Sequence, residues 1–110
     1  MVFDGLLPEL RPAAIELLRV AQRAGLRPQV TSVRRSSQQQ AALYARYLRG
    51  ESDLPAAPPG SSQHEFGMAF DLVCGGNFRS PAQAQLGALW RSWGGRWEPS
   101  DPVHFFVRLT

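Results

Sequence analysis

The chain has 110 residues, 44% of them hydrophobic and 19% charged, which predicts one folded domain over residues 1–110 and excludes a disordered chain. The net charge is +3, and the 12 basic side chains are all arginines. Because these arginines are scattered without a block of like charges, we expect no nucleic-acid partner. No apolar run approaches the roughly 20 residues of a membrane span, and a single cysteine excludes an intrachain disulfide.

The first half of the chain predicts two helices around one strand. Apolar residues recur at helical spacing over residues 8–24, and a short strand with β-branched residues follows at 27–33. Ser36 then begins a second helix, with Gln39 as its capping-box partner. The apolar face expected for this helix consists of Ala42, Leu43, Tyr47 and Leu48.

The second half predicts two strands around a third helix. A proline-rich loop spans residues 51–61, and an apolar strand covers 68–74. Ser80 and Pro81 form a clear helix start, and a last strand runs over 103–109. Because the connections are not regular βαβ units, we expect an α+β fold, a small mostly antiparallel sheet with helices packed on one side.

Four side chains have specific expected places in this fold. Trp90 and Trp93 lie on the third helix and are expected in the core. Cys74 lies in an apolar run and is expected to be a buried small hydrophobe. Trp97 follows the helix, and we expect it to line a cleft and contact substrate.

Both histidines of the chain stand near acids. Seven residues separate His64 from Asp71, and Gly67 between them allows a turn with positive φ. His104 begins the last strand, so neighbouring strands would bring two imidazoles and one carboxylate together. That is the ligand set of a catalytic zinc ion, with the fourth position open for water. Asp101, three residues before His104, would be free to act as a general base.

These residues form a recognisable pair of motifs. Ser-x-His-x-x-Gly-x-Ala-x-Asp runs from Ser62 to Asp71, and Asp-x-x-His runs from Asp101 to His104. The pair resembles the zinc peptidoglycan peptidases, which include D-Ala-D-Ala carboxypeptidases and dipeptidases and the L-alanyl-D-glutamate endopeptidases of phage endolysins. The resemblance implies a hedgehog/DD-peptidase-like fold and one zinc ion per chain, held by His64, Asp71 and His104. It also implies that Asp101 is the catalytic base, with Ser62 in support.

The resemblance covers residues from about 30 to 106. The segment Thr-Ser-Val-Arg-Arg-Ser, at 31–36, resembles the family's Ser-Gly-Tyr-Arg-Ser. By that alignment Arg35, rather than Arg34, binds the substrate carbonyl or carboxylate and is catalytic, as suits a guanidinium. Gln40 stands where the family has a supporting glutamine.

The sequence also departs from the family pattern. Val33 and Arg34 replace the family's Gly-Tyr, and Phe106 stands where the family often has Glu after His-Phe. The segment Trp-Gly-Gly-Arg-Trp, at 93–97, resembles the endopeptidase branch, as does the use of Asp at position 101. The bond predicted to be cut is therefore L-Ala–D-Glu, with removal of the terminal D-Ala as the alternative.

We therefore predict a zinc metallopeptidase that hydrolyses peptidoglycan stem peptides and works as a monomer. The alternative from another class is a non-catalytic, zinc-stabilised module that binds the cell wall. The N-terminal sequence shows no basic leader followed by an apolar core. We accordingly expect synthesis in the cytoplasm without a signal peptide and action on the cell wall after release.

Overall fold

The structure, a computed structural model, describes residues 2–108. Leu109, the predicted end of the last strand, lies outside the described residues. The main elements in chain order are α1 (Arg11–Arg23), β1 (Pro28–Ser32), α2 (Ser37–Leu48), β2 (Ala69–Cys74), α3 (Pro81–Ser92) and β3 (His104–Phe106). Two short 3-10 helices are found at Pro8–Leu10 and Gln63–Phe66. Within residues 2–108, no helix has both the length and the apolar character that crossing a bilayer requires.

The three strands form one antiparallel sheet in the order β1-β2-β3. In this register Val30 of β1 faces Leu72, and Asp71 of β2 faces His104 of β3. The pairing of β1 with β2 is irregular between Val30 and Ser32, next to the arginine-containing segment. The α+β class and the antiparallel sheet predicted from the sequence are thus confirmed.

The central strand β2 presents different side chains to the two faces of the sheet, since successive side chains in a strand alternate. Phe70, Leu72 and Cys74 point into the hydrophobic core. Helices α1 and α3 contribute their apolar residues to that same core and cover this face of the sheet. Asp71 lies on the opposite face, where no helix within residues 2–108 packs a comparable set of buried apolar residues against the sheet.

The two tryptophans of α3 and its C-cap have different places. Trp90 is buried, packs against Phe70 at a ring-centroid distance of 5.3 Å, and donates its indole N–H to the Phe106 carbonyl at 3.0 Å. Trp93 is 42% exposed, so its expected place in the core is wrong. The physical reason is that α3 ends at Ser92, and the C-cap position of Trp93 turns its side chain away from the core.

Trp97 lies in the core rather than in a cleft. It is 5% exposed, and its indole N–H donates to the Pro102 carbonyl at 2.9 Å. Its ring lies directly against Gly87 of α3, where an added Cβ would come within 2.2 Å of the ring. A helix position without a side chain therefore provides the space for this tryptophan.

Helix α2 begins as predicted, with Ser36 and Gln39 forming a reciprocal capping box. Its expected apolar face, however, does not enter the core. Gln40 is the only residue of α2 that is buried, and Tyr47 is 41% exposed. Leu43 and Tyr47 instead line a cavity on the uncovered face of the sheet. Two of the four residues of the expected apolar face thus line a cavity instead of joining the core.

Candidate active site

His64 is fixed by the short 3-10 helix that precedes β2. The Ser62 hydroxyl caps this helix and accepts a hydrogen bond from the His64 backbone N–H at 3.2 Å. Gly67 ends it in the left-handed conformation, with φ of 70°, as the sequence predicted. The ring Nδ1 of His64 lies 2.6 Å from the Val33 carbonyl. Since a carbonyl only accepts, Nδ1 carries the proton and Nε2 is left as an acceptor or a metal ligand.

The sheet register brings the two histidines and Asp71 together. His64 Nε2 lies 3.0 Å from Asp71 Oδ1, and His104 Nδ1 lies 3.2 Å from His64 Nε2. His104 Nδ1 is also 3.4 Å from Asp71 Oδ1. These distances follow from the pairing of Asp71 with His104 across adjacent strands and from the turn that carries His64 over the sheet.

This donor set fits a zinc ion. Tetrahedral ligands at about 2.0–2.1 Å from zinc lie about 3.3 Å from one another, which is close to the separations found here. The ligand atoms of His64, Asp71 and His104 all lie within 4.8 Å of one another. Two ring nitrogens and a carboxylate oxygen are also the chemistry that catalytic zinc sites use.

Asp71 is held in its ionised form by its neighbours. Burial would favour the neutral carboxyl, but the neighbouring His104 and His64 side chains and the charge of Arg35 hold the pKa of Asp71 well below its usual range. Arg35 donates from one terminal nitrogen to Asp71 Oδ2 at 2.8 Å. One carboxylate oxygen of Asp71 thus faces the histidines and the other faces the arginine.

Arg35 is itself held by a buried glutamine. Its second terminal nitrogen donates to Gln40 Oε1 at 3.2 Å, and Gln40 Nε2 donates to the Ala57 carbonyl at 2.9 Å. Because Gln40 is almost fully buried, its two hydrogen bonds hold the Arg35 guanidinium and the Ala57 carbonyl in a single arrangement. The proline-rich loop is thereby connected through two side chains to Asp71.

Asp101 lies in the same cavity, in the turn that leads to β3. Its backbone carbonyl accepts a hydrogen bond from the His104 N–H at 3.0 Å, which fixes the short separation of these two residues. Burial raises the pKa of the Asp101 carboxyl, and the neighbouring His104 opposes that effect. A carboxyl group shifted towards neutrality is suited to accept and return a proton.

The cavity has a volume of about 480 Å³ and opens to solvent beside the histidines. The residues from the sequence motifs that line it are Arg35, Gln40, Ser62, His64, Asp71, Asp101 and His104. Leu43, Tyr47 and Leu54 form an apolar part of the wall. Trp97 does not line this cavity, because its ring is enclosed between α3 and the turn before β3.

Two contributors to the site were not identified from the sequence. Glu65 accepts hydrogen bonds from the Gly60 backbone N–H at 2.9 Å and from the Ser37 hydroxyl at 3.2 Å, which joins the loop, α2 and the His64 helix. The capping-box spacing from Ser62 to Glu65 is the signal that would have found it. Phe106 stacks on His104 with ring centroids 4.7 Å apart. An aromatic platform thus stands where the family often has an acid.

Comparisons with known proteins bear on the fold and on the family. The VanY family profile, described as D-alanyl-D-alanine carboxypeptidase, matches residues 5–90. Comparison with curated proteins finds no match. Among solved structures, the LdcB LD-carboxypeptidase has a TM-score of 0.75 at 24% identity, over 96% of this chain and 66% of its own.

Two VanY structures are similar to nearly the same extent. VanYB in complex with D-Ala-D-Ala has a TM-score of 0.70 at 21% identity, over 93% of this chain and 71% of its own. A VanY D,D-pentapeptidase variant in complex with Zn(II) has the same TM-score and identity, over 93% of this chain and 72% of its own. At these identities the solved structures show a shared fold, while the profile match shows the family. The chain therefore belongs to the VanY D-alanyl-D-alanine carboxypeptidase family.

Proposed function

We propose that the protein is a zinc-dependent carboxypeptidase that removes the terminal D-alanine from peptidoglycan stem peptides. The observation that carries this proposal is the convergence of His64, Asp71 and His104 beside Asp101 in one open cavity. The family description favours a carboxypeptidase over the L-Ala–D-Glu endopeptidase. The endopeptidase prediction rested partly on residues 93–97, and the burial of Trp97 removes its ring from contact with a substrate.

His64, Asp71 and His104 are the residues that would hold zinc. When bound, zinc supplies Lewis acidity for a carbonyl oxygen and lowers the pKa of water. Ser62 and the Val33 carbonyl support this role by fixing the backbone and the ring of His64. We expect one ion per chain, because residues 2–108 contain a single such cluster.

Asp101 is proposed as the group that moves the proton. Its carboxylate would accept a proton from the attacking water and deliver it to the leaving amine, so that the carboxyl group ends each cycle as it began. The raised pKa of Asp101 supports both halves of this task. His104 lies close enough to influence the charge of Asp101, so the same turn positions a metal ligand and the proposed base.

Arg35 is proposed to act in two ways. It fixes the orientation of Asp71 through Oδ2, and its remaining donors lie in the cavity wall, where they can stabilise the charge that develops on the substrate carbonyl. Gln40 holds the guanidinium in this position. The apolar wall formed by Leu43, Tyr47 and Leu54 offers contact to the methyl groups of an alanine-containing peptide.

The decisive experiment is digestion of purified muropeptides by the zinc-loaded protein, followed by mass spectrometry. Loss of one alanine from a pentapeptide stem is the expected result, and it would separate this activity from cleavage after L-Ala, which releases the whole stem. The Asp101→Asn variant is the matched control, since it preserves shape and removes the base. Stoichiometric zinc without any hydrolysis would instead favour the non-catalytic wall-binding module.

A further inference from the structure

We propose that Arg108 recognises the C-terminal carboxylate of the substrate peptide and so restricts this site to the removal of terminal residues. This inference rests on the proposed carboxypeptidase function. Arg108 lies two residues after the end of β3 and lines the same cavity as the histidines and Asp71. Neither sequence motif includes it.

An aromatic stack places Arg108 near the candidate metal ligands. Its guanidinium carbon lies 5.8 Å from the centre of the Phe106 ring, within the range of a cation–π contact. Phe106 in turn stacks on His104 at 4.7 Å and is buried. The Arg108 guanidinium therefore lies against the Phe106 ring, and the same ring contacts His104, a proposed zinc ligand. A carboxylate bound by Arg108 would place the end of a peptide close to the reacting bond.

Arg108 also differs from the other arginine of the cavity in the use of its N–H donors. Within residues 2–108, the cavity is lined by two arginines, Arg35 and Arg108. Arg35 already donates to Asp71 and Gln40. Arg108 makes no hydrogen bond or ion pair within the described part of the chain, and it is exposed to solvent. A guanidinium in this state can bind a carboxylate through two parallel N–H donors.

Two acids of the cavity favour such a cation. Glu98 and Asp101 line it outside the proposed ligand set and would repel an anionic peptide end. Arg35 compensates the charge of Asp71, but it lies on the far side of that carboxylate from the histidines. The phenyl group of Phe106 matters here as well. An acid at that position, as the family often has, would pair with Arg108 and occupy its donors.

The test compares paired peptides that end in D-Ala-D-Ala, one with a free C-terminal carboxylate and one with a C-terminal amide. The zinc-loaded wild-type protein should cleave the free acid with kcat/KM about 10–100-fold above that for the amide, since a charge-assisted contact is lost in the amide. Arg108→Gln should lower the preference to about 1–3-fold, mainly through a higher KM for the acid.

Controls separate recognition from folding. Arg108→Lys keeps the charge without the fork and should retain part of the preference. Arg91→Gln, an exposed arginine of α3 outside the cavity, should retain all of it. Zinc content and melting temperature should match the wild type in all three variants.

The proposal is overturned if wild type cleaves acid and amide equally well, or if Arg108→Gln keeps the full preference. If no peptide is cleaved at all, the proposed function fails, and the role of Arg108 is then decided by binding. Calorimetric titration with D-Ala-D-Ala as acid and as amide should still show tighter binding of the acid to wild type than to Arg108→Gln. Equal affinities for the two proteins would reject it.

Discussion

The two faces of the central sheet use the same strands for different purposes. On one face Phe70 and Phe105 stack at 5.5 Å, and Trp90 packs edge-on against both rings. On the other face Asp71 and His104, the residues that alternate with them, meet in a solvent-open cavity. Because side chains alternate along a strand, rigid packing on one face fixes the positions of polar groups on the other.

Helices α1 and α2 show the same division. Ala14, Leu17 and Ala21 of α1 are fully buried in the core. Leu43 and Tyr47 of α2, in contrast, border the cavity, and the helix is held by polar contacts from Gln40 and Ser37. We therefore expect substitutions on the core face to change stability and substitutions on the site face to change chemistry.

The largest effect is expected for Asp71→Asn. The amide is a poorer zinc ligand than a carboxylate and cannot balance the charge of Arg35, so bound zinc should fall well below one per chain and turnover should drop to background. Elemental analysis of dialysed protein measures the zinc. Glu98→Gln removes an acid from the same cavity but not from the ligand cluster, and it should keep the metal. Full zinc content in Asp71→Asn would contradict the ligand assignment.

Asp101→Ala should affect the reaction without affecting the metal. Loss of a general acid–base group lowers turnover by about 10²–10⁴-fold, and zinc content and the circular dichroism spectrum should stay as in wild type. Steady-state hydrolysis of a pentapeptide stem gives the comparison. Turnover within a factor of about two of wild type would exclude Asp101 as the proton-transfer group.

A matched pair of leucines tests the core face directly. Leu72 of β2 is fully buried, and Leu72→Ala should lower the free energy of unfolding by about 2–5 kcal/mol. Leu48 of α2 is 65% exposed, and Leu48→Ala should change it by no more than about 0.5 kcal/mol. Urea unfolding of both variants measures the difference. Similar losses for the two would mean that α2 packs into the core after all.

Gly87→Ala tests the position of Trp97. An alanine normally stabilises a helix relative to glycine by about 0.5–1 kcal/mol, so an open site would give a more stable protein. Here the new Cβ would meet the Trp97 ring, and we expect a loss of about 1–3 kcal/mol instead. The sign of the change in urea unfolding is the readout. A stabilised variant would return Trp97 to the list of candidates for the cleft.

The smallest effect concerns Cys74 at alkaline pH. Burial raises the pKa of its thiol in the folded state, so the unfolded chain loses this proton first as the pH rises. The contribution of the protonated thiol to the free energy of unfolding is complete below the unfolded-state pKa of about 8.5. It is lost as the pH rises from there through the folded-state pKa. Between about pH 7 and about pH 10, the free energy of unfolding should therefore fall slightly more for wild type than for Cys74→Ala. Equal falls would show that the thiol is not shielded from water.

Local signals in the sequence predicted most of the fold. The capping box of Ser36 and Gln39 and the start at Ser80 and Pro81 mark their helices correctly, because each depends on hydrogen bonds within a few residues. The left-handed turn at Gly67 was likewise predicted from its place between His64 and Asp71. Trp93 was misplaced because helical spacing does not say where the helix ends relative to the core.

The sequence by itself determined which residue types stand at metal-binding spacing and which segments are helices and strands, since those properties are encoded over short distances. Only the tertiary structure decided how these segments meet. The register of β2 against β3 sets Asp71 beside His104, α2 turns Leu43 and Tyr47 to the cavity, and Gly87 makes room for Trp97. These outcomes depend on packing between segments that are distant in the chain. Local sequence patterns allow several ways of packing the helices and strands, and the volume and charge of the side chains that meet select one of them.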